Sequence, residues 1–441
     1  MVLLYHVFSC MSRVRGEFFL KNKVEFKIIP AENDKRVKNN AIYDSNGNYL
    51  SLQDGRAKWQ ARKSYGVNFA KVFYMLGSEE LKKAENNGTL EINKQTGEVF
   101  NTPEARKYFI KSQHISECGL RLAYKIDGEN NKTLHSAYFC RDRLCPVCMW
   151  RLSRRLAWET NEIVDKYMKQ CPDMIPIMIG LTVRNPKMGE LSNMLDVLCH
   201  GDSGAWQLLR KWLARRGIKD YIRTVEITFN AVSQTWHPHI HCFAFVPKEY
   251  FSKENKNYIS RDILRREWKR VCNLDYEPVV DIRRCYDKNG TKERIKFDSG
   301  IKTMSLAGAI KETAKYCVKP LKIFSKALND YAENGADENK EKVDIKEIVR
   351  ELDKALSGRR LRALGGKLKE IARKLKFDDD ESKKDLIHND DNGTVEAVRE
   401  EVYEYVFEDR DYYLTARDDV NQERERKKKF DFQNNSDLDT G

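Results

Sequence analysis

The chain has 441 residues, with 80 Lys and Arg against 67 Asp and Glu and a formal net charge of +13. That length exceeds what one core usually holds, so two or three domains are expected, and the basic balance points to a polyanionic partner, nucleic acid first. No apolar run approaches the roughly 20 residues that cross a bilayer, which argues against a membrane partner.

The opening MVLLYHVFSCM is apolar but lacks the charged n-region and cleavage site of a signal peptide. Eleven cysteines without an export signal suit a reducing, cytoplasmic setting, where clustered thiols hold metal more often than they form disulfides. Residues 1–105 are polar and without strong periodicity; AENNGTLEINKQTGEVFN suggests a loose lead-in with a short hairpin.

The segment 106–170 supplies Cys118, Cys140, Cys145 and Cys148. Cys-Pro-Val-Cys is a C-x₂-C knuckle, and with the two cysteines before it four thiolates could close a tetrahedral Zn²⁺ site; a set of buried thiols is the simpler alternative. Next comes a helix with apolar Leu152, Leu156, Trp158, Ile163 and Met168 and a strongly basic first half. Arg141, Arg143, Arg151, Arg154 and Arg155 crowd this region. They form either a solvated basic face or a set of phosphate contacts for DNA.

Residues 171–325 read as an α+β domain on a central antiparallel sheet flanked by helices. IPIMIGLTVRN is a short apolar strand, 204–216 is helical, and YIRTVEITFN alternates with period two. NAVSQT is a hairpin connection to the returning strand HPHIHCFAFV. ISRDILRREWKRVCN is a helix, PVVDIRRC a strand, and SLAGAIKETAKYCVK a helix stopped by Pro320. Residues 330–390 are charged helical sequence broken at Gly365–Gly366, and 391–441 is a tail whose end is expected to be disordered.

The segment WHPHIHCFAFVP is the most informative. On a strand, His237, His239 and His241 share one face, and imidazoles there can ligate Mn, Zn, Fe or Co. If the hairpin is symmetric about residues 232 and 233, Glu226 sits opposite His239 with its side chain on the same face. Two imidazoles and a carboxylate could then hold Mn²⁺ or Mg²⁺ with positions open for substrate. A polar sheet face on which histidines alternate by chance is the bland alternative.

In KETAKYCVKP, Glu312 and Tyr316 lie four apart on one helical face, continued by Lys319. A Tyr near a helix end usually anchors packing. Beside a metal site, its oxygen could instead attack a phosphodiester, with Glu312 as general base and Lys319 holding a phosphate.

Together, WHPHIHCFAFVP and KETAKYCVKP resemble the HUH-type nickases of the one-tyrosine kind, and among them the replication initiators of rolling-circle plasmids. IGLTVRN, YIRTVEITFN, EWKRVCNLDYEPVVDIR and LSGRRLRALGGKLKE extend the resemblance over about 110 to 390. It implies that His239 and His241 are the metal-binding pair, Tyr316 the nucleophile and Glu312 the carboxylate of hydrolytic termination, with His237 left open. It further implies nicking of plasmid origin DNA, single-stranded at the nick, in concert with a host helicase and replication proteins, and it admits a homodimer. A transposase or mobilisation relaxase shares this chemistry, and a non-catalytic zinc-stabilised DNA-binding regulator would share the composition.

Overall fold

A computed structural model describes residues 30–286, 304–314, 344–387 and 396–419, apart from 53–54, 90, 93–98, 101, 231, 253, 378–379 and 381–382. The chain divides into two units, residues 1–147 with 391–441 and residues 148–390. In chain order the elements begin with α1 (Pro30–Asn40), α2 (Arg56–Asn86), the short strands β1 (Glu91–Ile92) and β2 (Val99–Phe100), α3 (Pro103–Glu117), β3 (Arg121–Ile126) and β4 (Lys132–Ala137). They continue with α4 (Pro146–Gln170), β5 (Met174–Thr182), α5 (Leu191–Cys199), α6 (Ala205–Arg215), β6 (Tyr221–Asn230), β7 (Thr235–Pro247), α7 (Arg261–Val271) and β8 (Val280–Tyr286). After these come β9 (Met304–Ser305), α8 (Leu306–Ala314), α9 (Ile345–Leu356), β10 (Arg362–Gly365), α10 (Gly366–Lys374), β11 (Arg399–Val406) and β12 (Asp411–Asp419).

The first unit holds an antiparallel sheet in the order β12-β11-β3-β4. Two features of it depart from the sequence reading. The polar lead-in contains α2, a helix of 31 residues. Its buried stripe runs Trp59, Lys63, Gly66, Ala70, Phe73, Gly77 and Ala84, the three-to-four spacing of a helix. Because a lysine and two glycines occupy buried positions, the apolar pattern is interrupted and the period is hidden. Gly77 is required for the approach of α3, since a Cβ there would lie 2.8 Å from the Phe109 ring.

The second departure is in 391–441, where the expected tail supplies β11 and β12, with β11 pairing directly with β3. The expected disordered end, from 420 on, lies outside the described residues. Strand β11 (REEVYEYV) mixes charged with apolar and aromatic side chains, and its most deeply buried charge is satisfied internally. Glu401 has no solvent exposure and receives Tyr403 Oη at 2.7 Å, Lys132 Nζ at 2.9 Å and Arg417 at 3.1 Å.

The second unit is built on a six-stranded sheet ordered β10-β6-β7-β5-β8-β9, antiparallel except at the β8–β9 edge. One face carries Ile222, Phe243, Phe245 and Met178, which pack against Ile163 and Tyr167 of α4, Ala309 and Ile310 of α8, and Leu368 and Ile371 of α10. Against the other face lie α5, α6 and α9: Trp206 meets Tyr221 edge to face at 5.2 Å, and Trp236 Nε1 donates to Glu351 at 2.8 Å. This is the expected α+β arrangement of antiparallel sheets flanked by helices. One element within 330–390 differs, because RALG forms the edge strand β10 against β6. Helix α10 opens at Gly366, whose φ is +56° and where a Cβ would clash with Asp220.

Burial pushes the Glu401 carboxyl up, but the hydrogen bonds from Tyr403 and Lys132 outweigh it and hold the group at about 2, below the ordinary 4.5. A depressed folded-state value stabilises fully above pH 4.5 and is lost as pH falls towards 2. Glu401→Gln is therefore expected to cost about 2 kcal/mol at neutral pH and to flatten the acid limb of the urea midpoint against pH. An acid limb identical to that of the parent chain would show that this carboxylate is not what acid titrates.

Candidate metal centre

In the β6–β7 hairpin Glu226 pairs with His239, Thr224 with His241 and Thr228 with His237. Directly paired residues in an antiparallel ladder point to the same side, so the carboxylate and all three imidazoles belong to one face. Strand β5 adds Thr182 opposite His239 and Gly180 opposite His241, and β8 adds Asp281 opposite Gly180. The pairing predicted from a hairpin centred on 232 and 233 is the pairing observed.

Three of these side chains converge. His239 Nε2 and His241 Nε2 lie 3.2 and 3.1 Å from the same oxygen, Oε2 of Glu226. Ligand atoms of the three all fall within 4.8 Å of one another. The Glu226 side chain has no exposure, whereas His239 and His241 keep 14% and 16%. A buried carboxylate thus forms the floor and two imidazoles open toward solvent, where a substrate oxygen could enter. Neighbouring ligands on an octahedral ion with bonds of about 2.1 Å are about 3 Å apart, which is the spacing found here. The donor set of two nitrogens and one oxygen suits a divalent cation.

His237 stands outside this group. Its Nδ1 is 2.8 Å from Asn185 Oδ1, while its carbonyl faces His239 Nδ1 at 3.4 Å. Burial, and then the neighbouring His239, push its pKa below the ordinary value, favouring the neutral ring.

Of the other residues singled out from sequence, Glu312 lies in α8, on the sheet face that carries the histidines. Tyr316 and Lys319 lie outside the described residues. Helix α8 is tied to the sheet beside the site, because Thr224 Oγ1 donates to the Thr313 carbonyl at 2.9 Å. Neither Thr224 nor Asp281 was singled out by the sequence reading. The available signal was positional: both lie at period two from residues on the histidine face, and Gly180 leaves the space between His241 and Asp281 open.

The four cysteines also come together. Sulfurs of Cys118, Cys140, Cys145 and Cys148 lie within 4.8 Å of one another, and all but Cys140 are buried. Tetrahedral Zn–S bonds of about 2.3 Å place sulfurs about 3.8 Å apart, so the set fits such an ion. The chain turns tightly here, with Leu144 N donating to Asp142 Oδ1 at 2.8 Å and Pro146 opening α4. Lys63, missed by the sequence reading, lies fully buried beside the cluster and donates to the carbonyl of Cys118 at 2.9 Å and to that of Ser116. Burial pushes its amine down to about 8, opposed by the attraction of Cys118, Cys145 and Cys140.

The arginines of this region divide by environment. Arg151 is buried and donates to the Leu386 carbonyl at 2.7 Å, and Arg155 binds Glu159 at 2.9 Å while lying over Trp158. Arg141 and Arg154 are exposed and Arg143 is half-buried. No described helix is long and apolar enough to cross a membrane.

Comparison with known proteins gives one consistent result. Residues 131–413 match the family described as Replication protein. Among curated relatives, "Protein rep" of Streptococcus pneumoniae serotype 2 is 31% identical over 280 residues, covering 64% of this chain and 77% of that protein. "Protein rep" of Bacillus amyloliquefaciens is 34% identical over 285 residues, 62% of this chain and 76% of its own length. "Protein rep" of Lentilactobacillus hilgardii is 29% identical over 308 residues, 69% and 88% respectively. No solved structure matches.

Removing the carboxylate from the centre should remove its cation. Glu226→Gln is expected to weaken Mn²⁺ binding by tenfold or more, whereas His237→Ala should change it by less than about threefold, read by isothermal titration. Equal losses in the two variants would move His237 into the ligand set. For the thiolate cluster, Cys145→Ser should eliminate the zinc found by elemental analysis of the purified chain and lower the melting temperature by several degrees; a parent chain that carries no zinc would return the four cysteines to the status of buried thiols.

Proposed function

The chain belongs to the Replication protein family, and from that premise we propose that it initiates rolling-circle replication of plasmid DNA as a metal-dependent nickase and strand transferase. The observation that carries this reading is the convergence of Glu226, His239 and His241 on the sheet face that α8 also covers.

The proposed roles follow from the chemistry of each group. Glu226, His239 and His241 would hold Mn²⁺ or Mg²⁺, an ion that would supply Lewis-acid polarisation of the scissile phosphodiester and offset its charge. Tyr316 supplies the nucleophile. Its phenolic oxygen bonds to phosphorus, the bond from phosphorus to the 3′ oxygen breaks, the departing 3′ oxygen takes a proton from solvent, and the products are a 5′-phosphotyrosyl link and a free 3′-OH primer. Glu312 accepts the phenolic proton, and in termination that of water or a 3′-OH. Lys319 holds a non-bridging phosphate oxygen. Because the ester bond energy is kept in the phosphotyrosyl link, attack by a later 3′-OH rejoins strands without a further energy source.

The scissile strand must be unpaired, since in-line approach to phosphorus requires access around the backbone. Origin DNA opened by supercoiling or an extruded hairpin meets that need, and extension from the new 3′-OH calls for a host helicase and the replication proteins of the cytoplasm. Arg141, Arg143 and Arg154 meet DNA phosphates, whereas Arg151 and Arg155 are engaged with the Leu386 carbonyl and Glu159. A homodimer would let two phenols act in succession.

Supercoiled origin plasmid incubated with the chain and Mn²⁺ should relax, and a denaturing gel should show protein covalently attached to the 5′ end. Tyr316→Phe is expected to abolish the adduct, by at least about 10³-fold, while leaving the DNA mobility shift within about threefold. A chain that shifts the DNA but never relaxes it is a binding regulator and not a nickase.

A further inference from the structure

We propose that Gly180 keeps the sheet face between His241 and Asp281 open as the seat of one nucleotide of the single strand, beside the phosphate that the metal centre engages. The proposal rests on the nickase reading and adds the part of the site that takes the strand. Gly180 pairs with His241 on β7 and with Asp281 on β8, so the three form one row across the sheet, with Thr224 beyond His241. Residues directly paired in a ladder share a face. The strands on either side of Gly180 stand about 10 Å apart, and between them only a hydrogen occupies the place where a side chain would otherwise rise.

Glycine inside a strand weakens it, and it marks either a structural demand or the close approach of another group. Structural demand is visible at other glycines of this chain. Gly77 admits α3, Gly365 lies against the Tyr221 ring, and Gly366 has a φ of +56°. Gly180 shows none of these. Its φ lies outside the left-handed region. A Cβ built there would meet, among the described residues, only Asp281 Cβ within 4 Å, at an ordinary 3.7 Å. The position is half-buried, while Ile179 and Leu181, which point to the opposite face, are sealed. Exposure continues on both sides of it, with 16% at His241 and 27% at Asp281. A strip of accessible sheet therefore runs from a metal ligand to Asp281. Its far wall is cationic. Asp281 is engaged by Arg261 at 3.7 Å and by Arg283, so one carboxylate stands among two guanidiniums and the group keeps a net positive charge. A sugar-phosphate backbone crossing the strip from the metal centre meets that charge on the other side, which suits a polyanion over a neutral ligand.

The test compares Gly180→Ala and Gly180→Val with the parent chain. Melting temperature, Mn²⁺ affinity by isothermal titration and the anisotropy of a fluorescent origin single strand are read for each. Valine suits a strand and Gly180 relieves no strain, so the melting temperature is expected to hold or to rise by a few degrees. Mn²⁺ affinity should stay within about twofold. The dissociation constant for the strand should rise about tenfold or more in Gly180→Val, and by less in Gly180→Ala. Arg261→Ala should lower the slope of log affinity against log salt by about 0.7. A Gly180→Val chain that binds the strand as tightly as the parent overturns the proposal. So does a fall of several degrees in both variants or a matching loss of Mn²⁺ affinity, because the glycine would then serve the fold or the metal centre. An unchanged salt slope in Arg261→Ala removes the backbone from the cationic wall and overturns it too. A parent chain that does not bind the origin strand at all defeats the nickase reading itself, and the proposal falls with it.

Discussion

A carboxylate with no solvent exposure lies beneath two imidazoles at Glu226, and much of the second unit can be understood as the means of keeping it there. A buried, uncompensated charge costs several kcal/mol, and only close partners of suitable geometry repay that cost. His239 and His241 reach it because they stand on the neighbouring strand in a register that puts all three on one side. A slip of one residue would turn Glu226 into the opposite layer, among Tyr221, Val225 and the helices covering that face. Strand β6 is held against such a slip from both sides, by β7 and by the short edge strand β10. Gly365 at the end of β10 lies against the Tyr221 ring and admits no larger residue there.

The same constraint governs the first unit, where several buried charges are each satisfied by specific partners. Glu401 is surrounded by Tyr403, Lys132 and Arg417, and Asp411 by Tyr49, Arg56 and Gln60. Lys63 lies beside four thiols whose ionised forms would carry the opposite charge. A cluster of thiolates around a divalent cation bears net negative charge, and a buried ammonium alongside it is the natural counterweight. Secondary structure here consists of few elements that bury much polar chemistry, which is why it was hard to read from apolar periodicity alone.

How much could be read from residues depended on whether the pattern was local. The β6–β7 hairpin was legible, including the Glu226–His239 pairing, because alternation with period two and a short polar connection determine facing and register together. The helices α4, α6 and α7 and the strands β5 and β8 followed from similar short-range signals. Helix α2 was not legible, since Lys63, Gly66 and Gly77 occupy its buried stripe for reasons that lie in other elements: the thiol cluster and the close approach of Phe109. Strands β11 and β12 were not legible because their charges looked like those of a solvated tail, and their partners on β3 lie far away in sequence.

By itself the sequence determined the chemistry available: a His-x-His strand, a carboxylate at matching distance along a hairpin, and a C-x₂-C knuckle with two further cysteines. These are set by spacings of two to four residues, and backbone geometry alone converts such spacings into shared faces. Tertiary structure decided which members of each set meet. It joined His239 and His241 to Glu226 while giving His237 to Asn185, and it turned Arg151 and Arg155 inward to the protein. It also brought Lys63 to the cysteines and Thr224 to α8. The assignments of His237, Arg151 and Lys63 depend on contacts between residues more than 50 positions apart, where the packing of whole helices and sheets, and not the local period, fixes which side chain occupies the space.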